Sequence, residues 1–397
     1  NGYCTLDAAG SFKTQLNSTA YKLSWRIKLS SGFPSGYVDI IAADVYSTIG
    51  HITDSESDLF YFSKYTGWWN CNWTKRKQIN VTENSGSTLT DYQVAINVTY
   101  DSDMQADFDD LRFTLDLGFD ELLLDYYVES KSDGSWAYVW VEVPEIPASG
   151  NATVYMYYGN PSASSASNGS ATFIFFDDME VWTDWTQYGS GTVSQDGSQY
   201  YEGSYSAHKT SNSDPNGAYK PIGQTVGRDI IFEAWIRRPS SYSGGASDRI
   251  GLIDDSGNGY GINFAHSTPQ ISIDERSAYT GSAICSTVSV SNILDAWYKA
   301  RLKIYSDDTI VFDCLESDGV TLHGTTSATD ATVSSFTRVY IFGGYDYWVD
   351  QIRIRKSVSP EPSVEVESQI GAKIYIYYGK SDATTTSNGC LLYTSDA

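Results

Sequence analysis

Short runs of alternating apolar and polar residues, broken by clusters of Gly, Asn, Asp and Ser, leave this chain few folds to choose from. In "AYVWVEVP" (residues 137–144), Val139, Val141 and Val143 share one face while Tyr138, Trp140 and Glu142 share the other. That is a strand with one packed face and one outward face. "KQINVT", "YQVAINVTY", "LRFTLD", "DYYVES" and "TVYMYYG" belong to the same stretch. Turn-forming residues separate them, as hairpins and Greek-key crossings require. Aromatics make up 14% of the 397 residues, with 31 Tyr and 11 Trp. Pleated surfaces favour such residues, so the expectation is an all-β chain of several sandwiches with very little helix.

One phrase occurs twice. "YMYYGNPSASSASNG" (155–169) returns as "YIYYGKSDATTTSNG" (375–389), and nine of nineteen positions agree between 151–169 and 371–389. A strand leaving into a turn has been reused, which points to a modular chain in which a domain type recurs.

The formal charge of −23 argues against nucleic acid or an anionic membrane as partner, since phosphate recognition needs a basic stripe. No run of eighteen apolar residues marks a transmembrane helix. Asn-x-Ser/Thr sequons at Asn17, Asn72, Asn80, Asn97, Asn151 and Asn168 favour an extracellular or cell-surface glycoprotein. The chain opens with Asn rather than Met and carries no signal peptide, so an upstream extension is expected.

Composition shifts divide the chain. Residues 1–67 hold "YKLSWRIKLS" and "YVDIIAADVY" and read as the truncated end of an upstream β-sandwich. Residues 68–175 form a second sandwich, and 176–369 a third module with strands spaced as in a jelly roll. Residues 370–389 read as the last strand of an incomplete second copy of the 68–175 domain. The tail "CLLYTSDA" (390–397) matches nothing around it and reads as a translated sequencing adapter on a metagenomic fragment.

The series "RKQINVTENSGSTLTDYQVAINV", "DFDDLRFT", "DYYVES", "WVEVPEIPASGNATVYMYYGNPSASSASNG" and "FFDDME" resembles domain of unknown function 2341, over residues ~69–175. That family's β-sandwich modules occur in archaeal and bacterial surface proteins, often joined to lectin-like sandwiches. The resemblance implies surface display and brings no assigned reaction. Within it, Asp110 and Arg112 are expected either as an Arg–carboxylate pair at a strand edge or as a core hydrogen-bond staple.

The third module, from "FFDDMEVWTDW" to "WVDQIRIRK", is similar to concanavalin-like and carbohydrate-binding-module jelly rolls. In that superfamily, acids at the two chain ends often clasp a structural calcium. The resemblance implies Asp178, Glu180 and Asp350 as carboxylate ligands, with the Gly203 turn offering carbonyls. Gln351 stands where the family pattern shows a further Asp. Trp182, Trp185, Tyr345, Tyr347 and Trp348 lie near the module ends, where sugar rings could pack on aromatic planes; core packing is the alternative for each.

Nothing marks catalysis. There is no "E-x-D-x-x-E" strand, G-x-S-x-G, H-E-x-x-H or P-loop, and the four His residues show no metal spacing. "DERS" at Asp274 and "GFDE" at Asp120 read as turn-like acidic clusters. Cys285 and Cys314, 29 apart, are expected to form a disulfide in an oxidising compartment, and Cys4 with Cys71 is a second candidate pair. The reading is therefore a non-catalytic surface or secreted binding and adhesion protein, recognising polysaccharide or cell-surface glycan. Two alternatives stay open: a structural cell-envelope subunit in contact with other envelope proteins, or accessory modules of a larger glycan-degrading enzyme.

Overall fold

The computed structural model describes residues 69–369 apart from 71, 118–120, 191, 211–213, 241–246, 266–268, 292–293 and 344–345, together with four short strands ahead of them. Those four form two antiparallel pairs: β1 (Thr5–Leu6) with β2 (Phe12–Lys13), and β3 (Leu23–Lys28) with β4 (Tyr37–Ala42). Asn17, the second repeat phrase, the adapter-like tail, Cys4 and Cys71 lie outside the described residues.

From Asn70 onward, Leu117 aside, the described residues form one compact unit of two sandwiches. The first uses β5 (Lys75–Thr82), β6 (Leu89–Thr99), β7 (Arg112–Asp116), β8 (Glu121–Leu124), β9 (Tyr126–Ser132), β10 (Trp136–Ile146) and β11 (Asn151–Tyr158). A three-stranded sheet, β6-β10-β9, faces a five-stranded one over a core that includes Ile79, Val94, Phe113, Val139, Val141 and Val154. One short helix, α1 (Gly169–Thr172), follows, with the Asn168 side chain accepting from the Ala171 N–H as its cap.

The jelly roll holds β12 (Phe175–Asp177), β13 (Thr186–Tyr188), β14 (Val193–Asp196), β15 (Ser206–Lys209), β16 (Gly217–Val226), β17 (Ile230–Arg237), β18 (Ser247–Ile253), β19 (Gly259–Ala265) and β20 (Gln270–Ser277). It continues through β21 (Thr280–Ala283), β22 (Val288–Ser289), β23 (Trp297–Ile304), β24 (Thr309–Leu315), β25 (Leu322–Thr329), β26 (Phe336–Gly343) and β27 (Tyr347–Lys356). One sheet runs β14-β15-β27-β17-β23-β24-β25, the other β13-β16-β26-β18-β19-β20-β21. Alternate residues such as Phe232, Ile250, Ile262, Leu302, Phe312, Ile341 and Ile354 fill the space between them.

Three expectations change. "DERS" is no turn: Asp274 and Arg276 sit two apart on β20, which β19 and β21 flank, so both point to one face. Next, β28 (Ser363–Gln369) leaves the jelly roll and pairs with β5 at the edge of the first sandwich, giving the order β28-β5-β11-β7-β8. Val364 there packs against the first sandwich's core. Finally, the Tyr138/Trp140 face of β10 does not look into solvent; Trp140 is buried together with Tyr127 and Phe173.

That face meets the outer face of the jelly roll's β27-β17-β23 sheet through buried ions. Arg353 Nη2 reaches Glu129 at 2.9 Å and Glu233 at 2.6 Å, Lys299 Nζ also pairs with Glu129, and Arg301 Nε lies 2.6 Å from Glu233. Trp140 Nε1 donates to Glu129 at 2.6 Å, and the Arg355 guanidinium lies 4.7 Å from the Trp140 ring centre. Burial pushes the Glu129 carboxyl up, but Arg353 and Lys299 outweigh it and hold the group at about 2.

The repeated phrase has a local reason. The Asp110 carboxylate accepts from the N–H groups of Gln105, Gly159 and Asn160, tying the Tyr-Tyr-Gly turn to the turns just ahead of β7. Gly159 has φ +85°, and a Cβ there would fall 2.4 Å from Thr74 Oγ1. Arg112 turns instead to the carbonyls of Asp109, Leu111 and Ser164, so the core staple replaces the Arg–carboxylate pair.

Candidate functional site

The outer face of the β13…β21 sheet is floored by glycine. In strand register, Tyr219, Tyr340, Gly251, Gly261 and Asp274 follow one another across neighbouring strands, and Phe342, Arg249, Asn263 and Ser272 form the next row. A Cβ on Gly261 would fall 1.8 Å from Tyr340 Oη, so the missing side chain is what lets the Tyr340 hydroxyl lie there.

Upon that floor stands a lattice of alternating charge. Arg249 Nε lies 2.9 Å from Asp274 and its Nη1 3.0 Å from Asp214, while Arg276 grips Asp214 with both terminal nitrogens, at 3.2 and 3.0 Å. Arg276 also donates to Tyr340 Oη at 3.1 Å. Burial raises the Asp274 carboxyl above its usual range, and Arg249 and Arg276 oppose that shift. Asn263 Nδ2 donates to Asp274 at 3.3 Å, while Asn263 Oδ1 is buried with no hydrogen-bond partner. Arg249 keeps 21% of its side chain exposed, so the lattice has an open rim. Half-buried Tyr188 and Tyr279 stack 4.2 Å apart along this face.

None of these residues stood among the sequence-derived site residues. The signal was the "GYG" alternation of β19 beside Asp-x-Arg on β20: small residues facing paired charges on one side of two adjoining strands.

The five aromatics expected to bind sugar are dispersed. Tyr347 is fully buried in the core, donating to the carbonyls of Phe342 and Arg249, so it offers no platform. Trp348 is half-buried on the opposite sheet, stacked 4.4 Å from His208. Trp182 and Trp185 stack 5.5 Å apart and pack against the core, and Trp185 Nε1 donates to Asp177. Tyr345 lies outside the described residues.

The acids of the calcium reading gather around one turn. Asp350 accepts from Tyr201 N, Glu202 N and Gln351 N. Glu180 Oε1 accepts from Ser204 N and Tyr205 N, close against Gly203, whose φ is +75°. Asp178 accepts from Glu180 N. The turn therefore presents N–H donors to these carboxylates. Burial raises Asp350 to about 8 and Glu202 to about 7, with Glu180 adding to both. Among the described residues no three His, Cys, Asp or Glu side chains converge on one metal position.

The expected Cys285–Cys314 disulfide is absent, and both thiols are free. Cys314 is buried on β24, between β23 and β25, whereas Cys285 follows β21 of the other sheet and accepts from Ile273 N. Of the sequons, Asn72, Asn97, Asn151 and Asn168 are exposed. Asn80 Nδ2, the atom a glycan would join, donates to Glu367.

Residues 107–188 match the family model "Domain of unknown function (DUF2341)". The match starts within the first sandwich and runs into the jelly roll. Over 185 residues, 45% of the chain, there is 40% identity to the uncharacterized protein MJ1394 of Methanocaldococcus jannaschii. The chain spans 19% of that relative's length. Among solved structures, the carbohydrate-binding module CBM66 from Bacillus subtilis aligns with 44% of this chain and 96% of its own, at 15% identity and a TM-score of 0.34. An endo-β-1,4-glucuronan lyase from Trichoderma reesei aligns with 48% of this chain and 98% of its own, at 14% identity and a TM-score of 0.35.

Proposed function

We propose that this chain is part of a non-catalytic, extracellular or cell-surface binding protein whose jelly roll recognises a glycan on the glycine-floored face. The observation that carries this reading is the Asn263–Asp274–Arg249 rim, where the Asn263 carbonyl oxygen is buried without a partner beside the partly exposed Arg249. Vicinal sugar hydroxyls both donate and accept, which suits an amide, a carboxylate and an arginine held rigidly together. The stacked Tyr188 and Tyr279 supply an apolar surface for the C–H face of a ring. The DUF2341 match adds a module of no assigned reaction.

Calcium belongs to the same proposal. Asp178, Glu180, Glu202 and Asp350 are hard oxygen donors, and burial together with repulsion from Glu180 raises the carboxyls of Asp178, Glu202 and Asp350. A cation would neutralise that charge and link the first and last strands of the module.

A glycan-array screen of the whole chain, with calcium and with chelator, tests the reading. Wild-type protein should bind at least one glycan class, and Asn263→Ala should weaken it with the melting temperature kept. An array on which the wild type binds nothing, or on which Asn263→Ala binds equally, would refute the site.

A further inference from the structure

A crevice of about 720 Å³ opens where the β5–β6 turn of the first sandwich meets three loops of the jelly roll. Its size falls within the roughly 300–1,000 Å³ of small-ligand sites, which concentrate at domain junctions. One wall carries Ser85, Ser87 and Thr88, the other Gln224, Thr225 and Ser306.

The charged groups in it are already engaged. Arg228 donates to the carbonyls of Val333, Tyr305 and Asp330, to the Asp308 carboxylate and to Tyr260 Oη. Lys356 Nζ donates to Thr90 O, Asp229 accepts from Ser306 N, and Asp307 accepts from Thr309 N. Ser357 is different. This lining residue is 5% exposed, and its Oγ is buried with no hydrogen-bond partner. An unpaired buried hydroxyl is a cost that a ligand bearing both donors and acceptors removes.

We infer that this crevice is a second ligand site, for a neutral polyhydroxylated ligand such as the end of a saccharide chain, with the Ser357 hydroxyl as its buried partner. An anion would meet Asp229 and Asp307, and a cation would meet Arg228 and Lys356. Ile174, Val226 and Val358 supply apolar contact for ring carbons. The site shares no residue with the glycine-floored face and stands or falls independently of it.

Gly227 gives the means of closing it. It lines the crevice, and a Cβ built on it meets nothing within 4 Å, with no left-handed φ to strain. Gly227→Phe therefore fills open space. Saturation-transfer NMR on the whole chain carrying Arg249→Ala, which disables the other face, would use cellotriose, maltotriose and mannotriose at millimolar concentration, with glucuronic acid and glucosamine as charged counterparts. At least one neutral trisaccharide should bind. Adding Gly227→Phe should weaken it by about tenfold or more, and Ser357→Ala by roughly fivefold, one hydrogen bond's worth. The inference is overturned if no neutral trisaccharide binds the Arg249→Ala protein, if a charged sugar binds in preference, or if binding survives both crevice substitutions. A trisaccharide that binds wild type but not Arg249→Ala would assign recognition to the glycine-floored face alone.

Discussion

The two outer faces of the jelly roll carry the same kind of alphabet, arginines and acids in strand register, and meet different fates. On the β27-β17-β23 face, Arg353 and Lys299, beside Glu233, receive a further partner, Glu129, from the first sandwich, and all four side chains are at most 6% exposed. On the β26-β18-β19-β20 face, Arg249, Asp274 and Arg276 receive Asp214 from one of the jelly roll's own loops, and Arg249 remains 21% exposed. An acid supplied by a neighbouring module closes a face into a weld. An acid supplied by the module's own loop leaves a rim at which a ligand can compete.

The largest expected effect breaks the weld. Arg353→Ala removes the cation that Glu129 and Glu233 share, leaving Glu129 with Lys299 and Glu233 with Arg301, and removing one partner of a buried pair costs about 3–5 kcal/mol. Urea unfolding should show that loss. Arg249→Ala should cost less, because Arg276 stays beside both Asp214 and Asp274. Equal losses for the two would mean that the seam is solvated.

Calcium and pH come next. Glu129, held at about 2, lies below the ordinary glutamate value of ~4.3, so its contribution is fully present above pH ~4.3 and fades as pH falls toward 2. Asp350 has the opposite sign. Burial raises it to about 8 against an ordinary ~3.9, so the folded state holds the extra proton and stability falls as pH rises from ~4 through 8. In chelator, the unfolding midpoint should therefore decline between pH 5 and 8, and Asp350→Asn should flatten the curve. Calcium at a hundredfold excess over its dissociation constant should restore about 2.7 kcal/mol. Identical midpoints in calcium and in chelator would reduce these acids to a hydrogen-bonded turn. Exposed Asp318 serves as the neutral control, whereas Asp274→Ala would remove one of the two acids that hold Arg249.

The smallest effect concerns the thiols. Burial pushes Cys314 up to about 12, while Cys285 is half-buried, so a maleimide should label Cys285 in native protein and Cys314 only after unfolding. A linked Cys285–Cys314 peptide from non-reduced protein would restore the disulfide and contradict this placement.

The all-β class and the strands of the first sandwich were legible because period-2 alternation survives whatever packs above it, as the Val139, Val141 and Val143 face shows. What lay opposite each face was not legible. Trp140 and Glu129 carry no mark that says a jelly roll covers them, and their partners Arg353 and Lys299 stand more than 150 residues away. Strand β28 was hidden for the same reason, since Val364 finds its core across the whole inserted module. Asp178 and Glu180 follow the first strand and Asp350 sits on the last, so the three lie about one turn, which offers N–H groups to Glu180 and Asp350 where carbonyls were expected. Tyr347 was misread because a Tyr at a module end has the same letter whether its ring faces core or solvent.

The comparison of the two faces rests on one paired measurement. Wild type, Arg249→Ala and Arg353→Ala, each as the whole chain, would be put on the same glycan array and through the same thermal melt. Arg249→Ala should lose the glycans held by the open face, keeping only neutral saccharides that the crevice takes, while melting close to wild type. Arg353→Ala should melt far lower and, below its own transition, still bind the glycans that wild type binds. If Arg249→Ala keeps wild-type binding, the open face is not the recognition surface.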